Sequence, residues 1–243
     1  MTSIALFGDL HGNHLATNAV LSDIDAHAPD LVICLGDLVG YGPFPNEVID
    51  LVRARDIPVI MGNYDDGIGF ERGDCGCAYK SDSERENGEK SVAWTDQHVT
   101  PGNKAWLRTL LPDIRLDVNG VRLRVVHGSP RKMNEYLFED RDPSSLQRIA
   151  ASADCDVLVF GHTHKPWSRM IGDVLFVNAG SVGKPKDGDP RACWALLEIS
   201  STGEATVTFK RVNYDIATVA AAIRQQPGLP DVYARDIETG GAS

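Results

Sequence analysis

Asp156-Val157-Leu158-Val159-Phe160-Gly161-His162-Thr163-His164 is a short apolar run that ends on a glycine and two histidines. Branched and aromatic side chains without polar interruption read as a strand buried on both faces. The histidines therefore leave that strand at its carboxyl end. Two residues apart on an extended backbone, they would point the same way. Converging imidazoles suit a metal better than an apolar core, where unpaired ring nitrogens are costly. H-x-H is a weak signal alone, but the same grammar recurs at Asp9-Leu10-His11-Gly12-Asn13, Gly36-Asp37, Gly62-Asn63-Tyr64-Asp65 and His127-Gly128. Each follows an apolar strand-like run, and sites in α/β sheets form beyond the carboxyl ends of strands.

Working outward, Ser3–Phe7, Leu31–Leu35 and Ile57–Met61 read as strands, with helices over His14–His27 and Pro45–Arg55 between them. This β-α-β-α-β order predicts parallel pairing through right-handed crossovers. Residues 65–83, rich in Gly, Asp and Cys, read as a long loop. Helices are expected over Glu84–His98, after Thr100-Pro101, over Pro143–Ala151, and from an Asp215 cap to Arg224. Ile114–Val118 and Val121–Val126 flank Asn119-Gly120, a hairpin signal. Trp167–Ile171 with Val174–Val177, and Ala192–Ile199 with Thr206–Val212, form two further pairs. The tail, 227–243, shows little periodicity and reads as peripheral. The whole, 1–243, is expected to be one α/β domain, a parallel half joined to an antiparallel half in a mixed β-sandwich flanked by helices.

The bulk numbers exclude several classes. The 243 residues carry a net charge of -10, which disfavours nonspecific binding to nucleic acid or anionic membrane. No apolar run approaches the ~20 residues of a membrane span. The first residues lack a basic start and run into a strand, so they do not read as a signal peptide. Cys34, Cys155 and Cys193 lie in or beside apolar runs, as buried reduced thiols do. A cytoplasmic protein is expected.

Taken together, the ordered set Asp-x-His, Gly-Asp, Gly-Asn-x-Asp, His and Gly-His-x-His over residues 9–164 resembles the calcineurin-like metallophosphoesterase superfamily. Asn178-Ala179-Gly180-Ser181 resembles the family's Asn-Pro-Gly-Ser, with alanine for proline. The stretch from Gly36 to Pro43 is similar to the compact bacterial phosphodiesterase branch and lacks the Asp-Arg-Gly continuation of other branches. The resemblance implies the family's four-layer α/β/β/α sandwich and two divalent metal ions. One would be held by Asp9, His11, Asp37 and His164, the other by Asp37, Asn63, His127 and His162, with Asp37 bridging. Two dications against two carboxylates leave a net positive site, which suits hydroxide and phosphate. Mixed nitrogen and oxygen ligation favours transition metals over Ca or Mg. Manganese comes first, with Fe, Zn or Ni as alternatives.

The residues expected in catalysis are Asp37, Asn63, His127 and Tyr64, and those expected at the substrate are Asn13, His14, Asn63 and His127. Tyr64 departs from the histidine that many family members place there to protonate the leaving group. A phenol with an ordinary pKa of about 10 is poorly matched to that task. His98 is a surface residue or a substitute acid. Cys75 and Cys77 read as an ordinary loop pair, and Arg131 and Lys132 as a solvated basic pair. The resemblance implies hydrolysis of a small phosphorylated substrate, a phosphodiester first and a phosphomonoester second, through a hydroxide bridging the metals. The rivals are an interaction scaffold, as in the retromer-coat relative, and a slow nucleotide sensor.

Overall fold

The structure is a computed structural model that describes residues 1–241. Its strands are β1 (Thr2–Phe7), β2 (Leu31–Cys34), β3 (Ile114–Val118), β4 (Val121–Val125), β5 (Val157–Phe160), β6 (Trp167–Ile171), β7 (Val174–Asn178), β8 (Ala192–Ile199) and β9 (Ala205–Val212). Its helices are α1 (His14–His27), α2 (Pro45–Arg53), α3 (Asn63–Gly69), α4 (Asp82–His98), α5 (Pro101–Leu107), α6 (Pro143–Ala153), α7 (Ile216–Gln225) and α8 (Val232–Thr239). Among the described residues, no helix is long and apolar enough to cross a membrane.

Two mixed sheets face each other, ordered β2-β1-β8-β9 and β3-β4-β5-β7-β6. Period-two alternation explains why their central strands are apolar throughout. Ile4 and Leu6 of β1 meet Val157 and Val159 of β5 between the sheets, with Leu123, Val125, Ala195 and Leu197. Ala5 and Phe7 point the other way, under α1 and α2. Leu158 and Phe160 pack outward with Leu146 and Ile149 of α6. The result is the expected helix, sheet, sheet, helix layering.

Four local readings need correction. Ile57–Met61 is not a strand; it makes only isolated bridges, Cys34 with Val59 and Ile60 with Leu111. Pro58 offers no N–H, so only a few residues can pair there. The supposed loop at residues 65–83 begins inside α3, whose glycines at 67 and 69 hide it by propensity. Asp65 caps that helix by accepting the Gly62 N–H at 3.0 Å. The tail contains α8, whose Tyr233, Ala234 and Ile237 are buried in a cluster with α7 and Trp94. Finally, the sheets do not divide the chain into a parallel half and an antiparallel half. The late strand β8 runs antiparallel to β1, while β4, β5 and β7 are parallel within the second sheet.

Candidate metal centre

The carboxyl ends of β1 and β2 in one sheet and of β4, β5 and β7 in the other open onto the same edge. Asp9, His11 and His164 come together there, as do Asp37, His127 and His162. Within each triad the ligand atoms lie within 4.8 Å of one another, and all six residues are buried. Asp37 Oδ2 joins the triads, 3.4 Å from His127 Nε2 and 3.8 Å from His11 Nε2. The Asn63 carbonyl oxygen lies 3.1 Å from His127 Nε2, placing it in the second group.

The backbone is bent to achieve this. Asp9, His11, Asp37, His162 and His164 have φ of 51°, 47°, 52°, 65° and 59°. Non-glycine residues held in this left-handed region are strained by about 1–3 kcal/mol each. The Gly-His-x-His segment is therefore not extended, and its histidines serve different triads. Backbone hydrogen bonds hold the bends. Asp9 N–H donates to Gly36 O at 2.9 Å, and the His11 N–H to Asp37 O at 2.9 Å. A Cβ at residue 161 would sit 2.6 Å from Asp9 Oδ2, so only glycine lets the two loops approach. The Asn178 amide clamps the β5 loop through Gly161 O and Thr163 Oγ1, both at 2.9 Å.

Hydrogen bonds set the histidine tautomers. His11, His127 and His164 each place Nδ1 on a backbone carbonyl, of Val39, Leu35 and Lys184, at 2.9, 2.8 and 2.6 Å. A carbonyl only accepts, so Nδ1 carries a proton in all three, and in His11 and His164 Nε2 aims a lone pair inward. The Nε2 atoms of His11 and His164 then face each other at 3.0 Å as two acceptors. His162 Nε2 and Asp9 Oδ1 are buried with no hydrogen-bond partner among the described residues. Opposed lone pairs and orphaned acceptors fit cations, which satisfy all of them at once.

Electrostatics agree. Burial and His127 push the His162 imidazole down to about 3. Burial, Lys186 and His11 hold His164 well below its ordinary value. Both rings stay neutral, as ligands must. Burial would lower His127, but Asp37 outweighs it and lifts the ring to about 10. That proton is the one a divalent cation would displace, since bound cations invert local pKa logic.

Tyr64 is buried, its ring edge-on to His11 with centroids 5.4 Å apart and its hydroxyl without a hydrogen-bond partner among the described residues. Burial and Tyr41 raise the phenol well above 10. Its N–H donates to Asp37 Oδ1 at 2.8 Å. Asn13 does not present a free amide to a substrate. Its oxygen caps α1 at Ala16 N–H, 3.1 Å away, and its NH2 donates to Gly183 O at 3.0 Å. His14 opens α1 and is not among the residues lining the metal cleft. His98 stacks on Trp94 and holds its carbonyl, away from that cleft. Arg131 is paired with Glu135.

Several contributors carry no sequence motif. Asp65 accepts the N–H groups of Asp37 at 2.7 Å and Leu38 at 2.9 Å, setting the bridging loop. It was visible only as the last residue of Gly-Asn-x-Asp. The cleft over the triads is narrow, with only about 10 Å3 of free volume, and is walled by Tyr41, Tyr64, Tyr136, Cys77 and Lys186. Burial and Lys184 lower the Lys186 ammonium to about 8. The Tyr136 ring lies against His162, centroids 4.1 Å apart.

A family model described as the calcineurin-like phosphoesterase superfamily domain matches residues 2–202. An uncharacterised protein of Methanocaldococcus jannaschii is 30% identical over 231 residues, covering 88% of each chain. Phosphodiesterase YfcE of Escherichia coli is 27% identical over 200 residues, covering 82% of this chain and 88% of its own. The crystal structure of a metallophosphoesterase from Sphaerobacter thermophilus superposes with a TM-score of 0.75 at 29% identity, covering 98% of this chain and 99% of that one.

Proposed function

We infer that this chain, which belongs to the calcineurin-like phosphoesterase superfamily, is a two-metal phosphodiesterase acting on a small phosphorylated substrate. The observation that carries the reading is Asp37, one buried carboxylate within 3.8 Å of an imidazole from each triad. When bound, two divalent cations would supply an activated water and withdraw charge from the phosphoryl group. Asp9, His11 and His164 would hold one, and Asn63, His127 and His162 the other, with Asp37 serving both. Lys186 on the cleft wall offers a cation to a phosphate oxygen. The free space in the cleft is only about 10 Å3, so the substrate would lie over the rim.

Phosphodiester specificity is supported by the relative YfcE, which is named a phosphodiesterase. Tyr64 stands where a proton donor for poor leaving groups would sit, and its raised pKa makes it an ineffective one, so good leaving groups are favoured in either ester class. Imidazole-rich ligation favours manganese over calcium. The five free cysteines suit a reducing compartment, in keeping with a cytoplasmic location. The test compares hydrolysis of bis(4-nitrophenyl) phosphate and 4-nitrophenyl phosphate by chelated, Mn2+-restored and Ca2+-supplied protein. The diester should be cleaved faster, only with metal, and better with Mn2+. Chelator-insensitive turnover sinks the metal reading, and faster monoester cleavage sinks the diester assignment.

A further inference from the structure

Cys75 and Cys77 stand beside the second metal position. Their sulfurs are 2.8 Å apart. Cys75 is buried, and Cys77 is half-buried on the cleft wall. Asn63 uses both residues: its Nδ2 donates to Cys75 O at 2.9 Å and to Cys77 Sγ at 3.3 Å. Those bonds turn its Oδ1 toward His127 and the ligand cluster. Gly76 between the cysteines has φ of +65°, and its carbonyl accepts from Asn134 Nδ2 at 2.9 Å. The pair is thus held in a tight turn, with one sulfur reachable from the cleft and the other directly behind it.

We propose that Cys75 and Cys77 form a redox-modification site in which a hydroperoxide converts the two thiols to a disulfide and reversibly weakens the metal position built on Asp37, Asn63, His127 and His162. The inference rests on the two-metal reading of the centre. The Cys77 sulfur, the reachable one, attacks a peroxide oxygen. The O–O bond breaks, hydroxide takes up the thiol proton and leaves as water, and a sulfenic acid remains. Cys75 sulfur attacks the Cys77 sulfur, the S–O bond breaks, and a second water carries off the remaining proton. Two thiols lose two electrons, and one hydroperoxide gains them. The sulfurs must close to about 2.05 Å, a short movement from their present contact. Asn63 then loses a thiol acceptor, leaving its amide held by the Cys75 carbonyl alone. Partners that orient a ligand typically matter about 10–100-fold in metal affinity. Thiol–disulfide exchange with a reductant restores the starting state.

The experiment treats full-length, Mn2+-loaded protein with hydrogen peroxide and reads two quantities without turnover. Alkylation after denaturation counts thiols, and equilibrium titration measures metal affinity. The thiol count should fall from five to three, with the missing pair mapped to Cys75 and Cys77. Affinity at one of two metal positions should fall about 10-fold, and dithiothreitol should reverse both changes. Cys77→Ser, which removes the attacking sulfur, should keep the same affinity before and after peroxide. The inference is overturned if the count stays at five while affinity falls, if the pair crosslinks with both affinities unmoved, or if Cys77→Ser responds as the parent does. Metal binding that tracks the thiol state in a chain hydrolysing no phosphoester upholds this inference and sinks only the enzymatic reading.

Discussion

At the scale of single residues, Asp37 and Tyr64 separate metal chemistry from proton transfer. Asp37 is buried and sits within reach of an imidazole from each triad. Asp37→Asn should release metal from both positions and lower diester hydrolysis by more than the about 10–100-fold that a supporting partner costs. Metal content by elemental analysis and turnover on one preparation check this, and near-normal values for both refute a shared ligand. Tyr64 is the opposite case, a buried ring whose hydroxyl meets no partner among the described residues. General acid catalysis contributes about 10²–10⁴-fold, mostly for poor leaving groups. Tyr64→Phe should therefore barely alter cleavage of an aryl diester, and Tyr64→His should speed an alkyl ester more than an aryl one. The check is the slope of log rate against leaving-group pKa. A flat slope in the parent would show that another residue donates the proton.

At the scale of elements, the loops after the strands do the aiming, and their own anchors matter. Lys184 Nζ donates to Asp236 of α8 at 2.6 Å, and Lys184 O accepts a hydrogen bond from His164 Nδ1–H. The late helix thereby supports a metal ligand far earlier in the chain. The loop after β4 is anchored by Glu135. Burial would raise this carboxyl, but Arg131, Ser129 and Arg141 outweigh burial and hold it at about 2. A depressed folded-state pKa means that the pairing stabilises fully above the ordinary glutamate value of about 4.3 and is lost as pH falls toward 2. Amides 129–141 should exchange hydrogen faster through that window than the intrinsic pH trend allows. Glu135→Gln should show the loosened pattern at neutral pH. Unchanged protection in both cases would remove Glu135 as the anchor.

At the scale of the whole molecule, the metal centre joins two sheets that otherwise meet through apolar side chains and a few hydrogen bonds, such as Asn119 Nδ2 to Ile199 O at 3.1 Å. Asp9, His11 and Asp37 come from the β2-β1 side, and His127, His162 and His164 from the β4-β5 side. Ions bound there favour the folded chain by mass action. A free-metal concentration about 100 times Kd at one position adds about 2.7 kcal/mol, about 5–10 °C in Tm for a chain this size. Scanning calorimetry should show that rise with Mn2+ and its loss with chelator. A Tm indifferent to both would place no tight metal between the sheets.

The sequence by itself determined the strand-end chemistry. Aspartates and histidines directly after runs such as Ile4–Phe7 and Val157–Phe160 are legible because period-two burial and the cost of unpaired polar groups are local rules. The hairpin at Asn119-Gly120 and the pairs β6 with β7 and β8 with β9 were legible for the same reason, since short connections leave few alternatives. Only the tertiary structure decided the rest. The antiparallel insertion of β8 beside β1 depends on sheet edges that no local pattern encodes. The short helix α3 is capped by its own Asp65 and masked by glycines. The histidine tautomers depend on carbonyls 28, 92 and 20 residues away. Lys186, Tyr136 and Cys77 reach the cleft because two sheets close over one edge. Their neighbours there are distant in the chain, so no spacing between residues could reveal them.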